Sequence, residues 1–269
     1  MDYTREFIVK PGSKVRLSDK EADFAGPYRS KAEARTDTAG NVRELAELQY
    51  RLYAEGKRAV LIVLQGMDAA GKDGTIRHVM GPMNPQSCKV TSFKVPTAEE
   101  LAHDFLWRVH KAVPAAGEIG IFNRSHYEDV LVVRVHGLVA RKAWSRRYGQ
   151  INDFERMLAA NGVHVLKFFL HVSRKEQLDR LKRRLADPSR QWKANPDDFE
   201  ERKYWDDYRK AYEDALARCS RPWAPWYVIP ADRKWFRNLA VSHILVETLQ
   251  KLDMQYPKPA FDLAAIKPE

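Results

Sequence analysis

Five short apolar runs punctuate the chain, at Ala59–Leu64, Lys89–Phe93, Ile119–Phe122, Val163–Val172 and Trp226–Ile229. Each predicts a buried strand. Helical spacing separates most of them. Val42, Leu45, Leu48, Leu52 and Tyr53 share one face of a predicted helix over Val42–Glu55, which Gly56 stops. Thr97 with Glu100 forms a capping box ahead of Leu101, Phe105, Leu106 and Val109. Ser173 with Glu176 forms another ahead of Leu178, Leu181 and Leu185, which predict a buried stripe. Strands alternating with helices imply an α/β fold, a parallel sheet covered on both faces. Ligands then belong at the carboxyl ends of the strands. Residues 1–40 carry Pro11, Gly12, Gly26 and Pro27 without apolar period. They read as an irregular extension ahead of a main domain over 41–269.

The first strand runs straight into Gln65-Gly66-Met67-Asp68-Ala69-Ala70-Gly71-Lys72-Asp73-Gly74-Thr75. Gly66, Gly71 and Lys72 have the spacing of a phosphate-binding loop between strand and helix. Glycines let backbone N–H groups curl toward phosphate oxygens, and the following helix adds its positive end. Asp73 stands where Ser or Thr usually closes the motif. Asp68 is the unusual feature, because a carboxylate facing phosphates repels them unless a divalent cation lies between. Either Asp68 caps the turn from outside, or it holds Mg²⁺ in place of the missing hydroxyl.

The third strand ends in Ile121-Phe122 and continues Asn123-Arg124-Ser125-His126-Tyr127-Glu128-Asp129-Val130, with Arg134 following. Phosphoryl transfer needs cations at the moving group and carboxylates for the metal. Here Asp129 is the second candidate metal ligand, and Arg124 and Arg134 are candidate phosphate clamps. An ordinary surface ion pair among Glu128, Asp129 and Arg134 would explain part of this run, but not its density behind a buried strand.

Charge refines the picture. The chain has 46 Lys+Arg against 36 Asp+Glu, a net charge of +10. Residues 173–193 hold eight basic and three acidic side chains, whereas 194–216 hold four and eight. The excess is focused on one helix and its turn. A solvated basic face is one explanation. A lid is the other, with its turn at Asp187–Lys193 and Trp205, Tyr208 and Tyr212 packing the returning helix; lids of this kind exclude water from phosphoryl transfer. At 44% hydrophobic residues the chain is not disordered. Two cysteines, Cys88 and Cys219, make no disulfide framework, no apolar run approaches the ~20 residues of a membrane span, and Met1–Lys20 lacks a signal-peptide core. The expected location is the cytoplasm.

Together these segments resemble the polyphosphate kinase type 2 family over nearly the whole chain. Gly66 through Thr75 is similar to that family's Walker A variant, including Asp73. Phe122 through Asp129 occupies the Walker B position, and Asp187-Pro188 through Trp192-Lys193 matches the lid. Arg202, Trp205-Asp206, Ala211-Tyr212-Glu213 and Ala224-Pro225-Trp226-Tyr227 also fit. Arg190 replaces the lysine more usual in the lid turn, and residues 1–40 match least.

The resemblance implies a P-loop kinase fold like thymidylate kinase: a three-layer sandwich with a five-stranded parallel sheet and a helical lid at about 180–206. It also implies reversible transfer of phosphoryl groups between inorganic polyphosphate and nucleotides (AMP, ADP and ATP, with guanine nucleotides a further option). Mg²⁺ is the implied cofactor, with Mn²⁺ able to replace it. Carried onto this chain, Asp68 and Asp129 hold the metal. Lys72, Arg124 and Arg134 bind phosphates, as do the loop residues Gly66, Ala69, Ala70, Gly71, Asp73, Gly74 and Thr75, and Glu128 completes the set. Arg180, Arg183, Arg184 and Lys193 are the lid contacts. Tyr127-Glu128-Asp129 resembles class III, which phosphorylates both nucleoside mono- and diphosphates, rather than class I, which has Asn in this stretch. The family suggests homodimers or tetramers, and no membrane or nucleic-acid partner. Two other functions share these features: an ATP-dependent P-loop nucleotide kinase, and a non-catalytic nucleic-acid-binding protein that would use the basic helix and show a steep salt dependence.

Overall fold

A computed structural model describes residues 1–263 and residue 266 of the chain, with the backbone only at 19 and 20. Strands β1 (Ala59–Gln65), β2 (Cys88–Ser92), β3 (Ile119–Asn123), β4 (Val163–His171) and β5 (Trp226–Pro230) form one parallel sheet in the order β2-β3-β1-β4-β5. All five predicted strands are present, within a residue or so at each end. The longer helices are α1 (Arg35–Glu55), α2 (Lys72–Thr75, continued by a π-helical turn Ile76–Met80), α3 (Arg141–Ala160), α4 (Arg174–Ala186), α5 (Trp205–Cys219) and α6 (Lys234–Lys251).

The two-residue period of a strand sorts the core into two halves. Val60, Ile62 and Leu64 of β1 face α1 and α6, packing with Leu45, Leu48, Leu52, Leu239 and Ile244. Ala59, Leu61 and Val63 face α3 and α5, packing with Ile151, Phe154, Ala215 and Leu216. Helix, sheet and helix therefore stack as three layers. A parallel central strand buried on both faces reads as an unbroken apolar run, and β1 is buried at every residue. Among the described residues no helix is long and apolar enough to cross a membrane.

Residues 1–40, expected as an irregular extension, pack against the main domain. Tyr3 and Phe7 are buried against Phe236 of α6, and Ile8 pairs antiparallel with Tyr227 at the β5 edge. The Val9 N–H donates to the Trp226 carbonyl at 2.8 Å, and the Leu17 N–H to Glu213 at 2.9 Å. The arm thus covers the outer edge of β5. Tyr3 and Phe7 stand four residues apart on the short helix Tyr3–Phe7, one turn being too short a pattern to predict an element. Helix α1 begins at Arg35, inside the predicted extension; its first turns are polar, so apolar spacing predicts only the later start at Val42.

Two helices also differ from expectation. The Thr97–Glu100 capping box is complete, but its helix stops at Leu101 and a second short one spans Trp107–His110. Asp104 accepts the Leu106 N–H at 2.9 Å and turns the chain between them. In α4, Ser173 accepts the Glu176 N–H at 3.2 Å, while the Glu176 carboxylate turns to Arg180 and Arg183 instead of completing a box. The predicted stripe of α4 is incomplete: Leu181 is buried, Leu178 half-buried and Leu185 exposed. Arg180 and Gln177 take the inner positions.

Candidate active site

The site grows from the carboxyl ends of β1 and β3, neighbours in the sheet. After β1 the chain reverses through Gly66 (φ 154°), Ala69 (φ 60°) and Gly71 (φ 111°) into α2. Gly66 has no room for a side chain, since a Cβ there would sit 2.7 Å from the Leu170 carbonyl oxygen. The Ala70 N–H closes the turn onto the Met67 carbonyl at 3.1 Å. At the start of α2 the first N–H groups lack partners within the helix, which makes its entrance electropositive. Lys72 curls its ammonium over the loop to the carbonyls of Gly66 (2.7 Å) and Met67 (3.3 Å). Burial pushes its pKa down to about 8 and Arg124 adds to the shift, against the pull of Asp68, Glu128 and Asp73.

From β3, Arg124 adopts a left-handed backbone (φ 62°), unusual for a residue with a side chain. Its guanidinium spans two carboxylates, Asp68 of the loop at 2.5 Å and Glu128 of the 3₁₀ turn His126–Val130 at 3.4 Å. Burial opposes the Arg124 charge, yet Glu128 and Asp68 hold its pKa above the ordinary value. The other Glu128 oxygen, Oε1, is buried without a hydrogen-bond partner. An orphaned carboxylate oxygen beside Asp68 and Lys72 fits a divalent cation, since buried polar atoms otherwise find partners. Among the described residues no cluster of three His, Cys, Asp or Glu could hold a metal alone. The two carboxylates paired with Arg124, those of Asp68 and Glu128, are a donor set that suits Mg²⁺, which takes one or two carboxylates and completes its shell with phosphates and water.

The 3₁₀ turn Gln191–Lys193, in the segment expected to form a lid, reaches this centre. Lys193 lies 3.4 Å from Asp73, whose other oxygen accepts from Asn123 of β3 at 2.8 Å. Burial works against the Asp73 charge, but Asn123 and Lys193 outweigh it and keep the carboxyl below its usual range. Arg184 pairs with Asp198 at 2.6 Å. Burial raises the Asp198 pKa and Asp68 adds repulsion, against Arg184. Tyr212 and Tyr208 of α5 line the same region, Tyr208 donating to Glu201 at 2.8 Å.

The structure therefore gathers Asp68, Lys72, Asp73, Arg124, Glu128 and Lys193, with Arg184 beside them. Four expected members lie elsewhere. Asp129 pairs with Arg147 of α3 at 2.8 Å, and burial pushes its pKa up to about 6 against Arg147 and Arg108. Arg134 is held by Asp214 (2.6 Å) and the Tyr148 hydroxyl (2.9 Å), and it lies over the Trp144 ring. Arg183 is largely exposed and pairs with Glu176. Arg180 is buried beneath the loop, not on the lid's open face. The reason is common to these four. Spacing marks a cation or carboxylate as available, but Asp129 and Arg134 find neutralising partners on other helices, Arg183 finds Glu176 on its own helix, and Arg180 finds Glu176 and backbone carbonyls. Asn123 and Arg237 were missed. Arg237 had one visible signal, a lone cation in the apolar stretch Trp235–Leu249.

Known proteins resemble this chain over nearly its whole length. The family model described as polyphosphate kinase 2 (PPK2) matches residues 28–257. The chain is 52% identical over 256 residues to the AMP/ADP-polyphosphate phosphotransferase of Meiothermus ruber, covering 95% of this chain and 96% of that protein. It is 45% identical over 267 residues to the ADP-polyphosphate phosphotransferase of Rhodopseudomonas palustris, covering 95% and 92%. The crystal structure of a polyphosphate kinase 2 from Arthrobacter aurescens TC1 superposes with a TM-score of 0.88 at 43% identity, covering 96% of this chain and 95% of that one.

Proposed function

The chain belongs to the polyphosphate kinase 2 family, an enzyme moving phosphoryl groups between polyphosphate and nucleotides, and from that premise we propose that it phosphorylates AMP as well as ADP, with Mg²⁺ or Mn²⁺ as cofactor. The observation that carries the site assignment is the Asp68–Arg124–Glu128 bridge beside Lys72, with one Glu128 oxygen left without a partner. The names of relatives at 52% and 45% identity support AMP and ADP as acceptors. A cytoplasmic homo-oligomer is part of the same proposal.

A terminal phosphate oxygen of AMP or ADP attacks the end phosphorus of polyphosphate in line. One O–P bond forms as the bridging P–O bond breaks, and the shortened polyphosphate leaves with its oxygen. No strong general base is needed, because the attacking oxygen is already ionised near neutral pH. The loop amides at the entrance of α2 orient phosphate oxygens, and Lys72 and Arg124 neutralise charge that shifts during transfer. Asp68 and Glu128 would hold the divalent cation, which would supply further neutralisation of the charge that shifts during transfer. Lys193 and Arg184 close the lid and keep water, a competing acceptor, away.

Purified protein given polyphosphate, AMP and Mg²⁺ should form ATP through ADP. Turnover of ADP with none of AMP would overturn the proposal that both acceptors are used. Turnover of AMP with ATP while polyphosphate stays inert would favour the ATP-dependent nucleotide kinase instead.

A further inference from the structure

Two buried guanidiniums stand behind the phosphate loop and meet it through its carbonyls and its glycines. Arg180 of α4 donates from one nitrogen to both Ala69 (3.0 Å) and Ala70 (2.9 Å), and from the other to Ala231 (2.5 Å) and Asp232 (2.9 Å). Its Nε meets Glu176 at 2.9 Å. The donors are thus spent on one fixed arrangement, which no solvated lid residue would need. Arg237, in the first turn of α6, is only 2% exposed. It donates to Asn238 Oδ1 at 2.8 and 3.2 Å and approaches the Ala70 carbonyl at 3.4 Å. No carboxylate pairs with it among the described residues. Its guanidinium fills the space behind the loop: a Cβ on Gly71 would lie 1.8 Å from it and one on Gly74 3.1 Å away. A buried charge without an opposite partner is costly, so its retention calls for a role.

We propose that Arg180 and Arg237 are positioning residues that hold the rear of the phosphate loop. A trans peptide points its C=O and the next N–H in opposite directions. Anchoring the Ala70 carbonyl to the rear therefore turns the Gly71 N–H to the front, where it joins the first amides of α2. The two fixed positive charges also raise the potential of the loop from behind. Because Arg180 belongs to the root of the lid helix, the lid and the loop share one anchor. The proposal rests on this loop being the phosphate cradle.

The test measures binding of inorganic tripolyphosphate by calorimetry, with turnover and thermal midpoint, for wild type, Arg180→Lys, Arg237→Lys and Arg237→Ala. Each protein is assayed below its own midpoint. Lysine keeps charge and most of the volume but lacks the forked donors, so both lysine variants should fold and lose roughly tenfold in affinity. Added guanidinium, but not sodium at equal ionic strength, should restore binding to Arg237→Ala. Folded lysine variants with wild-type affinity and turnover would overturn the proposal, as would a folded Arg237→Ala whose lost affinity guanidinium leaves unchanged. If wild type itself ignores tripolyphosphate, the cradle assignment fails instead, which separates the two ideas.

Discussion

The ammonium of Lys193 lies 3.4 Å from the carboxylate of Asp73, so the segment expected to form a lid meets α2 through an exposed ion pair. Both side chains are substantially exposed, and such pairs contribute only about 0–1 kcal/mol to stability. Lys193→Ala should leave the thermal midpoint nearly unchanged while raising the KM for polyphosphate by roughly three- to tenfold. Asp73→Asn keeps an acceptor for Asn123 and removes the competing charge, so its polyphosphate KM should stay level or fall. Steady-state kinetics over polyphosphate concentration decides this, and a higher KM in Asp73→Asn would show that the pair does not compete with substrate.

The carboxylates should separate by their metal dependence. Asp68→Asn and Glu128→Gln are predicted to raise the Mg²⁺ concentration for half-maximal rate, each by roughly 10–100-fold. Asp129→Asn should leave that concentration near wild type and act on stability. Its carboxyl has a folded pKa raised to about 6 by burial, so its stabilising contribution is complete below about 4 and is lost as pH rises through about 6. Thermal midpoints over this range should show wild type losing stability relative to Asp129→Asn. A Mg²⁺ requirement that moves with Asp129 and not Glu128 would return the metal to the sequence-predicted pair.

Much of the fold was legible because a parallel sheet writes itself as isolated apolar runs. The loop between β1 and α2 was equally legible, since Gly66 and Gly71 answer local backbone demands. The partners of individual charges were not. Arg134 and Asp214 lie 80 positions apart, and Arg180 reaches Ala69 across 111. No local period encodes such contacts. Tertiary packing decided which of several similar cations and carboxylates face the centre. The apolar anchors Tyr3 and Phe7 escaped because a single i, i+4 pair on one helical turn is too short a pattern to predict an element.

Lys72 sets a pH limit. With its pKa pushed down to about 8, its charge is lost in the free enzyme as pH rises through that value. The kcat/KM for polyphosphate should therefore fall above about pH 8, approaching tenfold per pH unit, because this ratio reports groups of the free enzyme. Bound phosphates favour the ammonium, so kcat should hold to higher pH. The stability contribution has the opposite sign. Between about 8 and the ordinary lysine value of about 10.4 the unfolded chain keeps a proton that the folded one has released, so this residue's contribution rises with pH. A kcat/KM profile that stays flat through about pH 9.5 would sink the assignment.

Lys167 and Glu155 form an ion pair of 2.5 Å with both side chains fully buried behind the Walker B turn. Tyr127 donates to Glu155 at 2.9 Å, His126 lies 3.2 Å from it, and Lys167 also donates to the Cys219 carbonyl at 2.7 Å. The residues directly before Glu128 thus lean on this pair. Removing one partner leaves an uncompensated buried charge, which typically destabilises by about 3–5 kcal/mol. Glu155→Gln and Lys167→Met should each lower the thermal midpoint sharply. The double variant Glu155→Gln/Lys167→Met should recover part of the loss, because no charge is then stranded. Burial opposes the Glu155 charge, but Lys167 and His126 hold its pKa below the ordinary value. Its stabilising contribution is therefore present above about 4.3 and disappears as pH falls through the lower folded pKa. Chemical denaturation of the three variants and wild type at neutral and acid pH measures both effects. Equal stability of the double and single variants would show that the pair acts through packing and not through charge.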